Sequence, residues 1–161
     1  MLKLTKKADY GLIALKHLAV NADAGVASAK EIAETYHIPL PLLSKILQKL
    51  NKSGFLRSEQ GNNGGYRLAR SARDISTLDV IRAIDGPIIL THCFTDHNKG
   101  CLITDTCNVR EPLRKVHEGI LKLLGGITIQ DLASDEVLNQ VSMPPPPPKL
   151  YELLGGHTAS K

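Results

Sequence analysis

Three cysteines, Cys93, Cys101 and Cys107, lie within one short stretch as Cys-x7-Cys-x5-Cys, and they are all the cysteines the chain has. Two histidines, His92 and His97, fall in or beside the array. Three soft ligands this close together suit an iron–sulfur cluster, zinc or copper. The gaps are wider than the Cys-x2-Cys knuckles of structural zinc, so a zinc ribbon is not the first choice. Gly100, Asn98 and the neighbouring Thr and Asp residues give a loop able to wrap a cluster. Unligated thiols are the remaining alternative. Nucleophilic catalysis fits poorly, because no oxyanion glycine pattern or pocket motif accompanies any one cysteine, and the chain is read as no enzyme.

The elements around this array read as a DNA-binding unit before it and a dimerisation helix after it. The 161 residues, 42% of them apolar, suffice for a core, which must be aliphatic because aromatic residues make up only 4%. Charge is uneven: residues 1–75 carry a net +6 and residues 76–161 a net −2, which directs the first half toward a polyanion. No secretory signal or spanning apolar stretch is visible, and an odd cysteine count argues against a disulfide framework. The expected location is the cytoplasm, with no membrane partner.

Thr5 can cap a first helix carrying Ala8, Leu12, Leu15, Leu18 and Ala19 inward, ended by Ala24-Gly25. Ser28 and Glu31 form a capping box for a short helix to about Tyr36. A turn at His37-Ile38-Pro39 leads to a third helix over residues 41–53, with Pro41 tolerated in its first turn and Leu43, Ile46, Leu47 and Leu50 as its buried stripe. Short strands over 54–58 and 66–69 flank a loop of turn residues over 59–65. Helix-turn-helix followed by a Gly-rich hairpin is a winged helix, whose third helix enters the major groove while the hairpin reaches phosphates or the minor groove.

Core placement of that apolar stripe turns Ser44, Lys45, Gln48, Lys49 and Lys52 outward as candidate DNA contacts. Gln pairs with adenine, Ser bonds several base edges and Lys neutralises phosphate or bonds guanine. Arg57, Gln60, Asn62 and Asn63 are the candidates on the wing, with Tyr66 under it. Ser76-Thr77 caps a fourth helix that ends at Asp85-Gly86-Pro87, and Ile88 to Leu90 lead into the cysteines.

After Cys107, Asn108-x-x-Glu111 reads as a capping-box variant with Pro112 in the first turn. Val109, Leu113, Val116, Ile120, Leu123 and Ile127 then step by four and three residues, an a/d seam that suits a homodimer; Leu124 widens it. Thr128 caps one more short helix through Ala133. Five prolines, 144–148, make the tail polyproline-like, with Tyr151, Leu153 and Leu154 as an apolar patch.

At this point the chain resembles the winged-helix iron–sulfur transcription regulators, the family of the cluster-assembly regulator and the nitric-oxide-sensing repressor. The segments that carry the resemblance are Leu4-Thr5-Lys6 to Tyr10, Leu47-x-x-Leu50 with Lys52-Ser53-Gly54, Gly61-x-x-Gly64-Gly65-Tyr66, and the three-cysteine loop, over residues 1–133. The resemblance implies a homodimeric, usually repressing, DNA-binding protein whose cluster, 2Fe-2S or 4Fe-4S, alters binding to a palindromic operator, and it suggests iron–sulfur assembly genes as targets. It also implies a fourth ligand. The nitric-oxide sensor uses an N-terminal Asp from the partner subunit, which matches Asp9; His92, His97 and Glu111 are rivals. Two departures stand out. The first cysteine gap is longer than the family's, and Arg110 occupies the position where the cluster-assembly regulator places a histidine ligand. Gln60 likewise replaces a wing arginine, which leaves operator preference open.

The expected class is therefore mainly α. A winged helix-turn-helix occupies 1–86, a cluster-binding loop 87–107, a dimerisation helix with a short following helix 108–133, and a Pro-rich tail 134–161. A zinc- or thiol-redox-sensing regulator of the same fold stays open beside the cluster reading.

Overall fold

The computed structural model describes residues 4–61, 64–91, 94, 103 and 106–134. Cys93, Cys101, His92, His97, Asn62, Asn63 and the tail from 135 lie outside the described residues.

The central helix is α1 (Lys6–Val20). Thr5 caps it in extended conformation, its hydroxyl accepting from the Ala8 N–H at 3.2 Å. Ala8, Gly11, Ala14, Leu15 and Leu18 are buried, while Leu12 and Ala19 are only partly so. The sequence reading had missed His17, which is 8% exposed and joins this face because Tyr36 gives it a partner: Nδ1 lies 3.2 Å from the Tyr36 hydroxyl.

α2 (Ala29–Tyr36) begins with the expected capping box, Ser28 and Glu31 bonding reciprocally. His37 takes a left-handed conformation (φ 53°) and turns the chain, so that buried Ile38 donates to the Ala33 carbonyl at 3.0 Å. α3 (Leu40–Lys52) then buries Leu43, Ile46, Leu47 and Leu50, the stripe read from sequence. β1 (Leu56–Glu59) and β2 (Gly65–Leu68) pair antiparallel with Leu56 opposite Leu68 and Glu59 opposite Gly65. Ala27 bridges to Tyr66 through two backbone bonds of 3.0 and 2.8 Å, which fastens the hairpin to the start of α2.

α4 (Thr77–Asp85), capped by Ser76, packs on α1 and α3. α5 (Arg110–Gly126) returns alongside α4, and α6 (Ile129–Ala133) closes on α1. Here the structure adds to the sequence reading. The short helix after the seam sends fully buried Ile129 into the same core as Leu15, Ile32 and Leu47, and Thr77 donates to the Ile127 carbonyl at 2.8 Å. The winged unit completes its core with residues from beyond the cysteines.

The capping box at Asn108 does not form. Val109 occupies the N-cap with no side-chain bond, because Glu111 holds Arg114 Nε at 3.0 and 3.1 Å instead of reaching back. The box at Thr128 does form. Asp131 accepts from the Thr128 backbone and hydroxyl, both at 2.8 Å, and these donors hold its carboxyl below the ordinary carboxylate value. A lowered folded value means that this stabilisation is complete above the unfolded carboxylate range and is lost as pH falls through the folded value. Asp131→Asn should therefore flatten the acid limb of thermal stability in melts between pH 6 and about pH 3; an unchanged limb would remove Asp131 from the acid response.

Candidate nucleic-acid interface and cysteine segment

The outward face of α3 is the face opposite its buried stripe. Lys45, Gln48 and Lys52 are exposed there, and Ser44 is half-buried beside them. Lys49, expected as a fifth DNA contact, is exposed but committed elsewhere: its ammonium donates to the Ile84 carbonyl of α4 at 2.8 Å. Its four-carbon stem reaches along the protein, which no spacing rule predicts.

On the wing, Arg57 is exposed on β1 opposite Arg67 of β2. The repulsion of this pair is relieved by an ion pair between Arg67 and Glu59. Arg70, just past the strand, lies 4.6 Å above the Phe55 ring. Arg67 and Arg70 were missed in the sequence; the alternation of β2 was the signal that turns Arg67 outward with Arg57. Gln60 is exposed, and Gly61 takes φ +132°, a value open to glycine at the hairpin tip.

The cysteine segment joins the end of α4 to the start of α5. Cys107, half-buried, lies three residues before the start of α5. Asp9 is exposed in the first turn of α1. Glu111, a rival ligand by sequence, is occupied: Arg114 bonds it and Glu118 together, which lowers the Glu111 carboxyl and raises the arginine further. His117 on α5 was not singled out in the sequence. Its Nδ1 is buried with no hydrogen-bond partner among the described residues, and its ring lies 5.2 Å from that of Phe94, the residue after Cys93. Among the described residues no three potential metal donors come together. Thiolates from a cysteine array, with a carboxylate or imidazole to complete the set, are the donors that iron–sulfur clusters take. By the chemistry of the donor set, three thiols with a carboxylate or imidazole available, the residues fit such a group.

The two faces of α5 differ. Leu113, Ile120, Leu124 and Ile127 are half-buried, and Ile120, Leu123 and Leu124 line an apolar cavity of about 670 Å³ with Ile81, Ile88 and Leu90. Val109, Val116 and Leu123, seven residues apart, are 54%, 51% and 52% exposed. The seam read from sequence is thus divided, its a-like positions turned inward and its d-like positions more exposed, Leu123 at the rim of the cavity.

The family model described as an iron-dependent transcriptional regulator, Rrf2, matches residues 4–135. The chain belongs to the Rrf2 family of winged-helix transcriptional regulators. The regulator NsrR of Geobacillus kaustophilus is 32% identical over 134 residues, 83% of this chain and 91% of that protein. Among solved structures, the IscR of T. potens is 31% identical with a TM-score of 0.65, covering 88% of this chain and 93% of that one. CymR, the global cysteine regulator of B. subtilis, is 28% identical with a TM-score of 0.68 over 83% and 97% of the two chains. As an Rrf2 regulator the protein is mostly helical with a two-stranded antiparallel wing. No helix among the described residues is long and apolar enough to cross a membrane.

Proposed function

We propose that this Rrf2 protein is a homodimeric repressor whose operator binding is set by an iron–sulfur cluster on Cys93, Cys101 and Cys107. The observation that carries the reading is the placement of the cysteine segment. It leaves the end of α4, which holds the reading helix α3, and enters α5, which presents the exposed apolar stripe. When bound, the cluster supplies an electron- and ligand-responsive centre. The chain's own residues do the rest. Lys45, Gln48 and Lys52 of α3, with Ser44, face the major groove; Arg57, Gln60, Asn62 and Asn63 serve the wing. Val109, Val116 and Leu123 pair with a second copy, with Leu113, Ile120 and Ile127 bracing α5 from behind. Two half-sites about one helical turn apart, roughly 34 Å, would make the operator palindromic. Asp9 is the leading fourth ligand, and His117 joins the rivals. Iron–sulfur assembly genes are the proposed targets, and the site of action is the cytoplasm, where the DNA is. The proposed division of labour is 1–86 for DNA, 87–107 for the cluster, 108–133 for dimerisation and 134–161 as a tail.

The test is the visible spectrum, with iron and sulfide content, of protein purified without oxygen and reconstituted if colourless. Broad bands between about 320 and 460 nm with matching iron and sulfide are expected, and Cys107→Ser should bleach them. The likeness to CymR favours a second reading, in which the same thiols respond to cysteine or oxidants. Protein that stays colourless after reconstitution, yet changes operator affinity on thiol oxidation, would decide for it; bound zinc without iron would decide for a zinc site.

A further inference from the structure

We propose that Lys49 positions the DNA-reading helix rather than touching DNA, and that it passes the state of the cysteine segment to that helix. The second half of the proposal rests on the sensing function proposed above.

Ile84 lies in the last turn of α4, where carbonyls lack an intrahelical partner. The cap at Gly86 returns its N–H to the Arg82 carbonyl and leaves that of Ile84 to another donor. Lys49 is that donor, at 2.8 Å. A cation at the negative end of a helix, bonded through its charge, is favoured on both counts. The Ile84 side chain, 6% exposed, fills the point where α1, α3 and α4 meet. A Cβ on Gly11 of α1 would stand 2.2 Å from Ile84 Cδ1 and 3.5 Å from Ile46 Cγ2 of α3. The next residue, Asp85, takes the Thr5 hydroxyl at 2.8 Å on each oxygen and so ties down the start of α1. Gly86 then turns with φ +88° into residues 87–91 and the cysteines.

The last two residues of α4 before the cysteine segment therefore fasten α3 and α1 together. A change in that segment acts first on the Asp85–Gly86 turn. Through the Ile84 carbonyl it reaches Lys49, which adjoins Gln48 and sits one turn from Lys45 on the reading helix. With its ammonium aimed at the protein, Lys49 is removed from the phosphates that Lys45 and Lys52 face.

The experiment compares Lys49→Met, which keeps an apolar stem without the donor, with Lys45→Met. The probe is a duplex enriched from a random library by the wild-type protein. Anisotropy titrations across a salt series are run on each protein with its cysteines intact, anaerobically, and on each in a Cys93→Ser, Cys101→Ser, Cys107→Ser background. Loss of one phosphate contact flattens the slope of log K against log salt by about 0.9. Lys45→Met should show that loss, and Lys49→Met should keep the wild-type slope. The wild-type difference between cysteine and serine forms, expected near tenfold, should shrink below about threefold in Lys49→Met. Lys49→Arg, which keeps a donor, should restore it and guards against a folding defect in the methionine variant. A flattened slope in Lys49→Met places Lys49 on a phosphate and overturns the proposal. A full tenfold difference in Lys49→Met refutes the coupling while the sensing function stands. No difference in the wild-type protein refutes the sensing function and the coupling with it.

Discussion

Val116→Glu is expected to convert the protein to a monomer and to weaken operator binding by at least two orders of magnitude, with the protomer fold intact. Val116 stands at the centre of the outward stripe of α5, midway between Val109 and Leu123, and is 51% exposed. α5 buries none of its seventeen residues fully, which is unusual for an amphipathic helix whose inner face already packs on α4. A two-fold interface brings the same stripe from both copies together, so each substitution counts twice. Covering the exposed half of three aliphatic side chains on each copy is worth about 1 kcal/mol per residue. Two facing carboxylates remove the central part of that burial and add repulsion between desolvated like charges. A combined loss of about 3 kcal/mol raises the dimer dissociation constant roughly a hundredfold. Gly119, on the same face, has no heavy atom within 4 Å of where a Cβ would be, so nothing within the protomer demands a glycine there. A partner helix crossing closely would. Light scattering should report the mass of one chain, circular dichroism an unchanged helix content, and anisotropy the loss of palindrome affinity. A Val116→Glu protein that remains dimeric would move the interface off this stripe.

The parts of the fold that were legible in the sequence are those fixed by local chemistry. Thr5, Ser28, Ser76 and Thr128 each accept from a backbone N–H three residues on, and each was readable as a polar residue ahead of an apolar period. The buried stripe of α3 and the hairpin followed from periodicity and the glycine-rich turn. What was not legible depends on groups distant in the chain. His17 is buried because Tyr36 comes to meet it, and Lys49 is held by a carbonyl 35 residues away. Asn108 and Glu111 had the spacing of a capping box, but Arg114 competes for the same carboxylate at closer charge. Val109, Val116 and Leu123 could not be told from Leu113, Ile120 and Ile127 by spacing. Only the packing of α5 on α4 separates the two sets. The outward face of α3 was legible because its buried complement was. The orphaned nitrogen of His117 was not, since a histidine inside an amphipathic helix carries no local signal of what surrounds it.

Gly65→Ala is expected to lower Tm by roughly 5–10 °C and to detach the wing from the DNA-reading face, two effects with one cause. Gly65 opens β2 opposite Glu59. A Cβ there would stand 2.5 Å from the Ala27 carbonyl oxygen, 2.7 Å from its carbon and 3.0 Å from the Ser28 nitrogen. All three are backbone atoms, so no side-chain rotation relieves the clash. The strand must move away from Ala27, which is itself 6% exposed and cannot retreat into the core. Moving it breaks both bonds of the Ala27–Tyr66 bridge, at about 1 kcal/mol each, and disturbs Ser28, the cap of α2, for about 1 kcal/mol more. Since α2 leads through the His37 turn into α3, this close approach joins the Phe55-to-Leu50 backbone bond in holding the wing and α3 in register. In the variant, Arg57 and Gln60 would leave the DNA while Lys45 and Gln48 remain. Operator affinity should then fall with a flatter salt slope while the mass of the protein in solution is unchanged, in contrast to Val116→Glu, which changes the mass. Thermal melts and salt-series anisotropy on the same preparation check both halves. An unchanged Tm would show that the hairpin shifts without cost and that Ala27 does not anchor it.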